Sequence, residues 1–506
     1  MFAQRIETRE VIFIAMILAT FMVSVEATIV ATAMPTIVAD LGGLRYFTWV
    51  FGAYLLTQAV TIPIYGRLAD FFGRKTLLVI GIVIFLTGSI LSGFAHNMFE
   101  LILFRALQGI GAGGVQPVAI TIVGDMYSGR ERARVQGFLS STWAFSAVIG
   151  PLLGAFLVQH VGWPAIFWIN VPVGIACIGI VLQVLHEDIQ RIAHRIDYLG
   201  SALLALGVGT LMYVLVMAGN MPIALALPLA GAAVVVLALL LWHETRAPEP
   251  MMPLSLYRIR IIAVANTGNF FIGAMMMGVS AFLPIYVQGA MGRSAVLAGA
   301  VLGAVFIGWT SGSITGARLM IRTSYKITAL AGSVPVLIGS ILLATLSADA
   351  NIAWPIAGVT TLGLGFGLIN SVFVISTQAA VGWEMRGAAT ASNIFLRQLG
   401  QAIGSTTFGA VFNLGIYARI PDAGTVVGRL MDPVRRALLP PLDVARDAGA
   451  IAVSLHNVYL ILACLAVVVF GLVLAIPASL RPDHAAPAAG TQGVRSVRTE
   501  RAQHEA

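Results

Sequence analysis

The sequence predicts an all-α polytopic membrane protein with about fourteen transmembrane helices, and three observations carry that prediction. The chain has 506 residues, of which 58% are hydrophobic and 10% charged. A soluble domain carries about 25% charged residues, so this chain cannot cover itself with a wetted surface. Apolar runs, each close to the ~20 residues that cross a bilayer as a helix, fill nearly its whole length. The basic residues behind its net charge of +8 sit in the short connections between those runs, where they set orientation rather than bind nucleic acid. Cys177 and Cys464 both lie inside apolar runs, and so make neither a disulfide framework nor a metal site.

The elements follow in order. The first span, 11–34, comes after Arg5 and Arg9. Ala31-Thr32-Ala33 resembles a cleavage site, but the run is too long for a secretory signal and Glu26 interrupts it, so it belongs to the mature chain. Spans 47–66 and 76–95 flank a charged turn, Gly66-Arg67-Leu68-Ala69-Asp70-Phe71-Phe72-Gly73-Arg74-Lys75. Its glycines let two helices meet and reverse direction, and Asp70 can cap a helix end or pair with an arginine. Spans 98–123, 135–159 and 164–185 complete a first group of six. Spans 198–218 and 221–242 are joined only by Gly219-Asn220. Loop 243–260, with Pro248, Pro250 and Pro253, is an irregular connection into spans 261–288, 296–317, 327–347, 351–375, 389–415 and 451–478. Segment 416–450 holds Arg435-Arg436, Pro440-Pro441 and four aspartates, and reads as a folded external loop or a solvated linker. The tail from Pro482 is rich in Ala, Gly, Arg and Gln and is expected to be disordered.

Orientation can be tested by counting. With the N-terminus in the cytoplasm, the loops carrying Arg67, Arg74, Lys75, Arg130, Arg132, Arg134, Arg246, Arg258, Arg318, Arg322, Lys326 and Arg386 fall inside, whereas Arg45 and Arg293 fall outside, with five more basic residues in the long segment 416–450. An odd number of spans would invert this bias in the second half, so both termini are expected in the cytoplasm. Gly316-Ala317-Arg318-Leu319, with Arg322 and Lys326, follows the tenth span as Gly66–Lys75 follows the second; this copy is degenerate and lacks the aspartate. Two parallel repeats are the natural reading. The expected organisation is a six-helix bundle over 1–186, two inserted helices over 187–260, a second bundle over 261–480 with its external loop near 416–450, and a cytoplasmic tail over 481–506.

Three groups could carry chemistry. Glu26 is an acid well inside an apolar span, where an ionisable group costs at least ~3 kcal/mol unless it is protonated, paired or wet. It is therefore either a proton carrier or a structural acid paired with a neighbouring helix. Arg105, Gln108 and Ala112 share one face of the fourth span, and a buried arginine needs a partner because it cannot neutralise itself. Gly150-Pro151-Leu152-Leu153-Gly154 in the fifth span combines a proline kink with glycines that allow close helix contact.

These stretches carry a family resemblance. Gly66–Lys75 matches the loop motif G-x-L-A-D-x-x-G-R-K of the major facilitator superfamily. Val25–Pro35 resembles the first-span motif L-D-x-T-I-V-N-x-A-L-P of fourteen-span drug:proton antiporters, with glutamate in place of aspartate and alanine in place of asparagine. Arg105–Gly109 resembles R-x-x-Q-G, and Gly150–Ala155 resembles the antiporter motif G-P-x-x-G-G with alanine at its end. The chain is thus similar to EmrB/QacA-like multidrug efflux pumps over nearly its whole length. The resemblance implies a major facilitator fold of two six-helix bundles plus two inserted helices, in the cytoplasmic (inner) membrane. It also implies export of hydrophobic, often cationic, compounds in exchange for protons by alternating access, with no cofactor. In that scheme the first and fourth spans both line the cavity, so Glu26 is an expected partner of Arg105 and the two couple protons; Gly66, Asp70, Gly73, Arg74 and Lys75 latch the inside-closed state, and Gly150, Pro151 and Gly154 mark export. An endogenous metabolite, siderophore or lipid is the alternative cargo. A membrane sensor would need a soluble signalling domain that the sequence lacks.

Tyr54, Gln58, Trp143, Phe145, Asn269, Phe270, Met275, Met276, Met277 and Tyr286 are candidate cavity residues, because aromatic and Met-rich walls suit broad apolar ligands. Adjacent methionines diverge around a helix, so one or two of that trio can face a cavity. Arg397 lies roughly 15 Å into the thirteenth span if the helix starts near Arg386, and can be structural or can gate the second bundle. His456, near the start of the last span, is interfacial or a proton group. No P-loop, H-E-x-x-H or G-x-S-x-G occurs, which argues against ATP binding by a P-loop and against an intramembrane enzyme.

Overall fold

The computed structural model describes residues 2–126, 142, 145–146, 149–185, 197–217, 221–248, 250, 254–381, 386–420, 422–431 and 433–477. Regular structure among them is entirely helical. The helices are α1 (Phe2–Leu41), α2 (Phe47–Phe72), α3 (Arg74–Gly93), α4 (Met98–Met126), α5 (Ile149–His160), α6 (Asn170–Val184, preceded by the turn Ala165–Trp168), α7 (Tyr198–Val216) and α8 (Ile223–Glu244). There follow α9 (Arg260–Ile285, extended by a wide turn over Tyr286–Ala290), α10 (Ala295–Arg322), α11 (Tyr325–Ala344), α12 (Ala353–Ala379), α13 (Arg386–Tyr417), the short α14 (Ala423–Met431) and α15 (Pro441–Leu474).

Twelve of these helices are long and apolar enough to cross a membrane. Two segments read as spans fall outside that twelve. The described part of α5 is apolar but short. α13 has the length, but Asn393, Arg397, Gln398 and Gln401 interrupt its apolar character.

The charged stretch Gly66–Lys75 is not a ten-residue turn. α2 continues as helix to Phe72, and the reversal falls on Gly73 alone (φ 88°) before α3 begins at Arg74. Only glycine reaches that backbone conformation without strain, so one residue makes the corner. The side chains of Gly66, Arg67, Asp70 and Phe71 lie outside the described ones. Segment 416–450 is largely folded: α13 runs to Tyr417, α14 and a further turn Pro433–Ala437 follow, and α15 starts at Pro441 rather than near 451. Trp143 and the tail from Pro482 lie outside the described residues.

Packing repeats itself. In the first half α4 lies against both α2 and α3, while α1 and α3 pack on α6. In the second half α12 lies against α10 and α11, while α9 and α11 pack on α15. Glycines set these contacts. A Cβ on Gly109 or Gly113 would run into the Tyr54 or Gln58 backbone of α2, and one on Gly111 into Phe85 of α3. A Cβ on Gly363 or Gly367 would meet the carbonyls of Val305 or Trp309 in α10, and one on Gly365 would meet Gly332 in α11. The halves touch where α2 packs on α13 and where α1 meets α9 and α10; α7 and α8 pair with each other, and α7 leans on α2 and α13. We call the side of the Gly42–Gly43 turn the distal face and the side of Gly73 the proximal face. Toward the distal face, Phe47 of the first half packs edge-on against Phe282 (5.5 Å between ring centroids) and Phe412 (6.3 Å) of the second.

Candidate functional site: a buried ion pair between α1 and α4

Glu26 and Arg105 are 0% and 1% exposed, and they form a direct ion pair. Both charged groups are held by further polar contacts, although the hydroxyl of the adjacent Tyr54 is buried with no hydrogen-bond partner. Arg105 Nη1 also donates to Gln108 Oε1 (2.5 Å), one turn along α4, and Nε donates to the Val50 carbonyl of α2 (3.2 Å). The guanidinium stacks over the Tyr54 ring at 4.2 Å from its centroid. The second carboxylate oxygen of Glu26 accepts from Asn170 Nδ2 of α6 (2.6 Å). Ser89 of α3 closes the network: its Oγ accepts from Gln108 Nε2 and Asn170 Nδ2 (3.1 Å each) and donates to the Phe167 carbonyl (2.8 Å). Helices α1, α2, α3, α4 and α6 thus converge on one carboxylate.

This arrangement can hold a charge or a proton. With Glu26 ionised, both of its oxygens are satisfied. A proton on Glu26 removes the attraction to Arg105, which keeps Gln108, the Val50 carbonyl and the Tyr54 ring. Asn170 is suited to both states, because an amide can offer either its NH2 or its carbonyl to the same partner.

The predicted pairing of Glu26 with Arg105, and the shared face of Arg105 and Gln108, are what the structure shows. Ser89 and Asn170 were not foreseen. The available signal was an amide, Asn170, inside the apolar stretch Ile169-Asn170-Val171-Pro172, and a serine in α3 beside a glycine. Two of the candidate cavity residues are enclosed in this structure. Tyr54 is buried beneath Arg105, and Gln58 is buried and accepts from Gln398 Nε2 of α13 (3.0 Å), which ties the halves together. Tyr286 is also fully buried, and its hydroxyl donates to the Leu346 carbonyl (3.0 Å). Asn269 is buried and bonded to Asn393. Of the three methionines, Met276 alone is half-buried. Phe270 is half-buried and packs edge-on against Phe271. Arg397 is partly buried, and its Nε has no hydrogen-bond partner.

The export motif stands where three helices meet. A Cβ on Gly150 or Gly154 of α5 would strike Thr28 or Ile29 of α1, and Pro151 faces Gly299 of α10 across the divide between halves. Lys75, expected to latch the halves, donates to the Leu182 carbonyl of α6 (2.9 Å) within its own bundle. Its counterpart Lys326 of α11 does the same to Leu474 of α15 (3.0 Å). A pocket of about 360 Å³ at the distal face, lined by Val38, Tyr417, Asp422 and Arg429 among others, includes none of the predicted cavity residues.

Comparison with known proteins decides the family. The signature of the Major Facilitator Superfamily matches residues 16–405. The chain belongs to the major facilitator superfamily. It is 35% identical to the multidrug transporter protein MdtP of Bacillus subtilis (strain 168), over 80% of this chain and 75% of that one. Multidrug resistance protein 3 of the same organism is 32% identical, over 81% of this chain and 80% of its own length. Among solved structures, a bacterial homolog to the human lysosomal transporter Spinster, inward-facing and unoccupied, superposes with a TM-score of 0.64 at 16% identity, covering 92% of this chain and 97% of that one. That likeness concerns the fold. As a superfamily member the chain is an integral membrane transporter of small molecules and not an enzyme.

Proposed function

We propose that this transporter is a proton-coupled exporter of hydrophobic compounds, a drug:proton antiporter of the fourteen-span EmrB/QacA-like group. α5 and α13 would supply the two spans beyond the twelve. On the distribution of basic residues, the proximal face and both termini lie in the cytoplasm, and the membrane is the cytoplasmic one. The observation that carries the reading is the Glu26 network: a carboxylate enclosed by helices of one bundle, held by a single arginine, in a chain whose relatives are named multidrug transporters.

The Glu26 network supports the following cycle. With the distal side open, Glu26 takes a proton and Arg105 loses its partner. Reorientation of the two bundles carries that proton inward. Its release to the cytoplasm restores the ion pair and is linked to capture of cargo. The aromatic contact of Phe47 with Phe282 and Phe412, and the Gln58–Gln398 bond, would seal the distal side in the state described here. Gly66, Asp70, Gly73 and Arg74 are assigned to the opposite gate.

The test is dye efflux in energised inside-out vesicles. Wild-type transport should collapse when a protonophore dissipates the gradient, and Glu26→Gln should be inactive at normal abundance. Active, gradient-driven export by Glu26→Gln would place the proton site elsewhere.

A further inference from the structure

Arg397 lies well inside α13, eleven residues from Arg386, or roughly 16 Å along the helix. No described residue accepts a hydrogen bond from its guanidinium, and its Nε is enclosed. Arginine cannot shed its charge, so a guanidinium that is partly buried, with its Nε enclosed and unpartnered, is poised for an acceptor from outside the protein.

The helix phase shows where it points. α13 has two half-exposed stripes. Leu396, Leu399, Ile403 and Thr407 form one, mainly apolar, as a lipid-facing surface should be. Thr390, Ile394, Arg397 and Gln401 form the other, at the four- and three-residue spacing of a single face. On one flank of this second stripe, Gly400 and Gly404 press against α9. On its other flank, Gln398 and Ser405 meet α2. The stripe continues to Phe408 and Phe412, which join Phe282 and Phe47 at the distal seal between the halves. Arg397 and Gln401 therefore face the space between the bundles, beneath that seal, and Gln401 makes no hydrogen bond among the described residues.

We propose that Arg397, with the Gln401 amide one turn further on, recognises an oxyanion on the cargo, so that the transporter favours carboxylate-, sulfonate- or phosphate-bearing amphiphiles over fixed cations. The proposal rests on the export reading above and narrows it. The other side of the charge balance agrees. Both Glu26 oxygens are taken by Arg105 and Asn170, so that carboxylate is not offered to a cation. A positive ligand entering this space would meet an uncompensated guanidinium in a medium of low dielectric constant.

Purified full-length protein titrated with 5-carboxyfluorescein and with ethidium, followed by fluorescence anisotropy, tests this. Wild type should prefer the anionic dye. Arg397→Gln should weaken that dye about tenfold or more, the scale of a lost charge-assisted bond, with an unchanged thermal unfolding midpoint. Arg397→Lys should fall between the two, because it keeps the charge and loses the planar fork, and it serves as the reporter if Arg397→Gln does not fold. Arg397→Glu should reverse the preference. The proposal is overturned if wild type prefers ethidium or if Arg397→Gln binds carboxyfluorescein like wild type. It is also overturned if phosphatidylglycerol, and not the dye, binds through Arg397, since the oxyanion is then a lipid headgroup. Proteoliposome uptake under an imposed proton gradient separates the two readings. Transport of ethidium that ignores Arg397 keeps the export reading and removes this one. Arg397-dependent dye binding with no gradient-driven movement does the reverse.

Discussion

In α4, Gly109 and Gly113 bring α2 close and Gly111 brings α3 close; in α12, Gly363, Gly367 and Gly365 do the same for α10 and α11. One turn before these glycines the halves diverge. The first half has Arg105 and Gln108, and the second has Val359 and Leu362, all four buried. The neighbouring helix repeats the pattern. Ser89 of α3 is bonded to Phe167, Gln108 and Asn170, whereas Ser340 of α11, also one residue after a close-packed glycine, returns its hydroxyl to Val336 of its own helix (2.7 Å). The scaffold is thus separable from the chemistry. Glycines specify how helices approach, and a handful of polar substitutions on that frame turn one bundle into an ion-pair site while the other stays apolar at the same depth.

Removing charge from one half and bulk from the other should give very unequal losses. Arg105→Leu leaves Glu26 buried and unpaired, which should cost about 3–5 kcal/mol and abolish transport. Val359→Ala, at the matching position, should cost about 1–2 kcal/mol, a truncation effect only. Denaturant titration of the purified protein reads both. Equal losses would mean that the network adds nothing beyond packing.

Next comes the double variant Glu26→Leu/Arg105→Leu. Replacing a buried pair by apolar residues is often close to neutral, within about 1–4 kcal/mol of the parent in the stabilising direction. The double variant should therefore recover most of the stability lost by Arg105→Leu, yet stay inactive in vesicle efflux. Recovered transport together with recovered stability would show that the pair is architectural.

Legibility followed the same division. Glu26 and Arg105 stood out in the sequence because charges in apolar runs are rare and need partners. Their union was foreseeable once the first and fourth spans were placed together. Ser89 and Asn170 stayed hidden because serine and asparagine are tolerated in membrane helices, where a hydroxyl or amide often bonds within its own helix. Only the fold brings Asn170 to Glu26. Residue type makes Tyr54 and Gln58 cavity candidates, but type does not reveal which face of α2 meets α4 or α13 in this structure. The turn around Gly73 was mis-sized for a related reason: polar residues at a helix end read as loop, although α2 carries them as its last turns.

In the shared scaffold the halves should agree. Gly109→Ala and Gly363→Ala each push a methyl group into a backbone carbonyl of the adjacent helix, Tyr54 in one case and Val305 in the other. Each should cost about 1–3 kcal/mol by overpacking, and the two losses should match within about 1 kcal/mol. A large difference would mean that the repeats differ in packing as well as in charge.

The smallest effect is the sharpest on mechanism. Lys75 and Lys326 each reach a carbonyl near the C-terminal end of a neighbouring helix, at 2.9 and 3.0 Å. An ammonium there interacts favourably with the helix dipole, and its removal should cost about 0.3–1 kcal/mol. Lys75→Met and Lys326→Met should then lower the unfolding midpoint alike. Their effects on transport discriminate further. If Lys75 belongs to a latch between bundles, as the loop-motif resemblance implies, Lys75→Met should slow efflux at equal stability while Lys326→Met leaves it unchanged. If both variants transport normally, these lysines pin helix ends within each half, and the latch must reside in the other charged residues at the corner around Gly73.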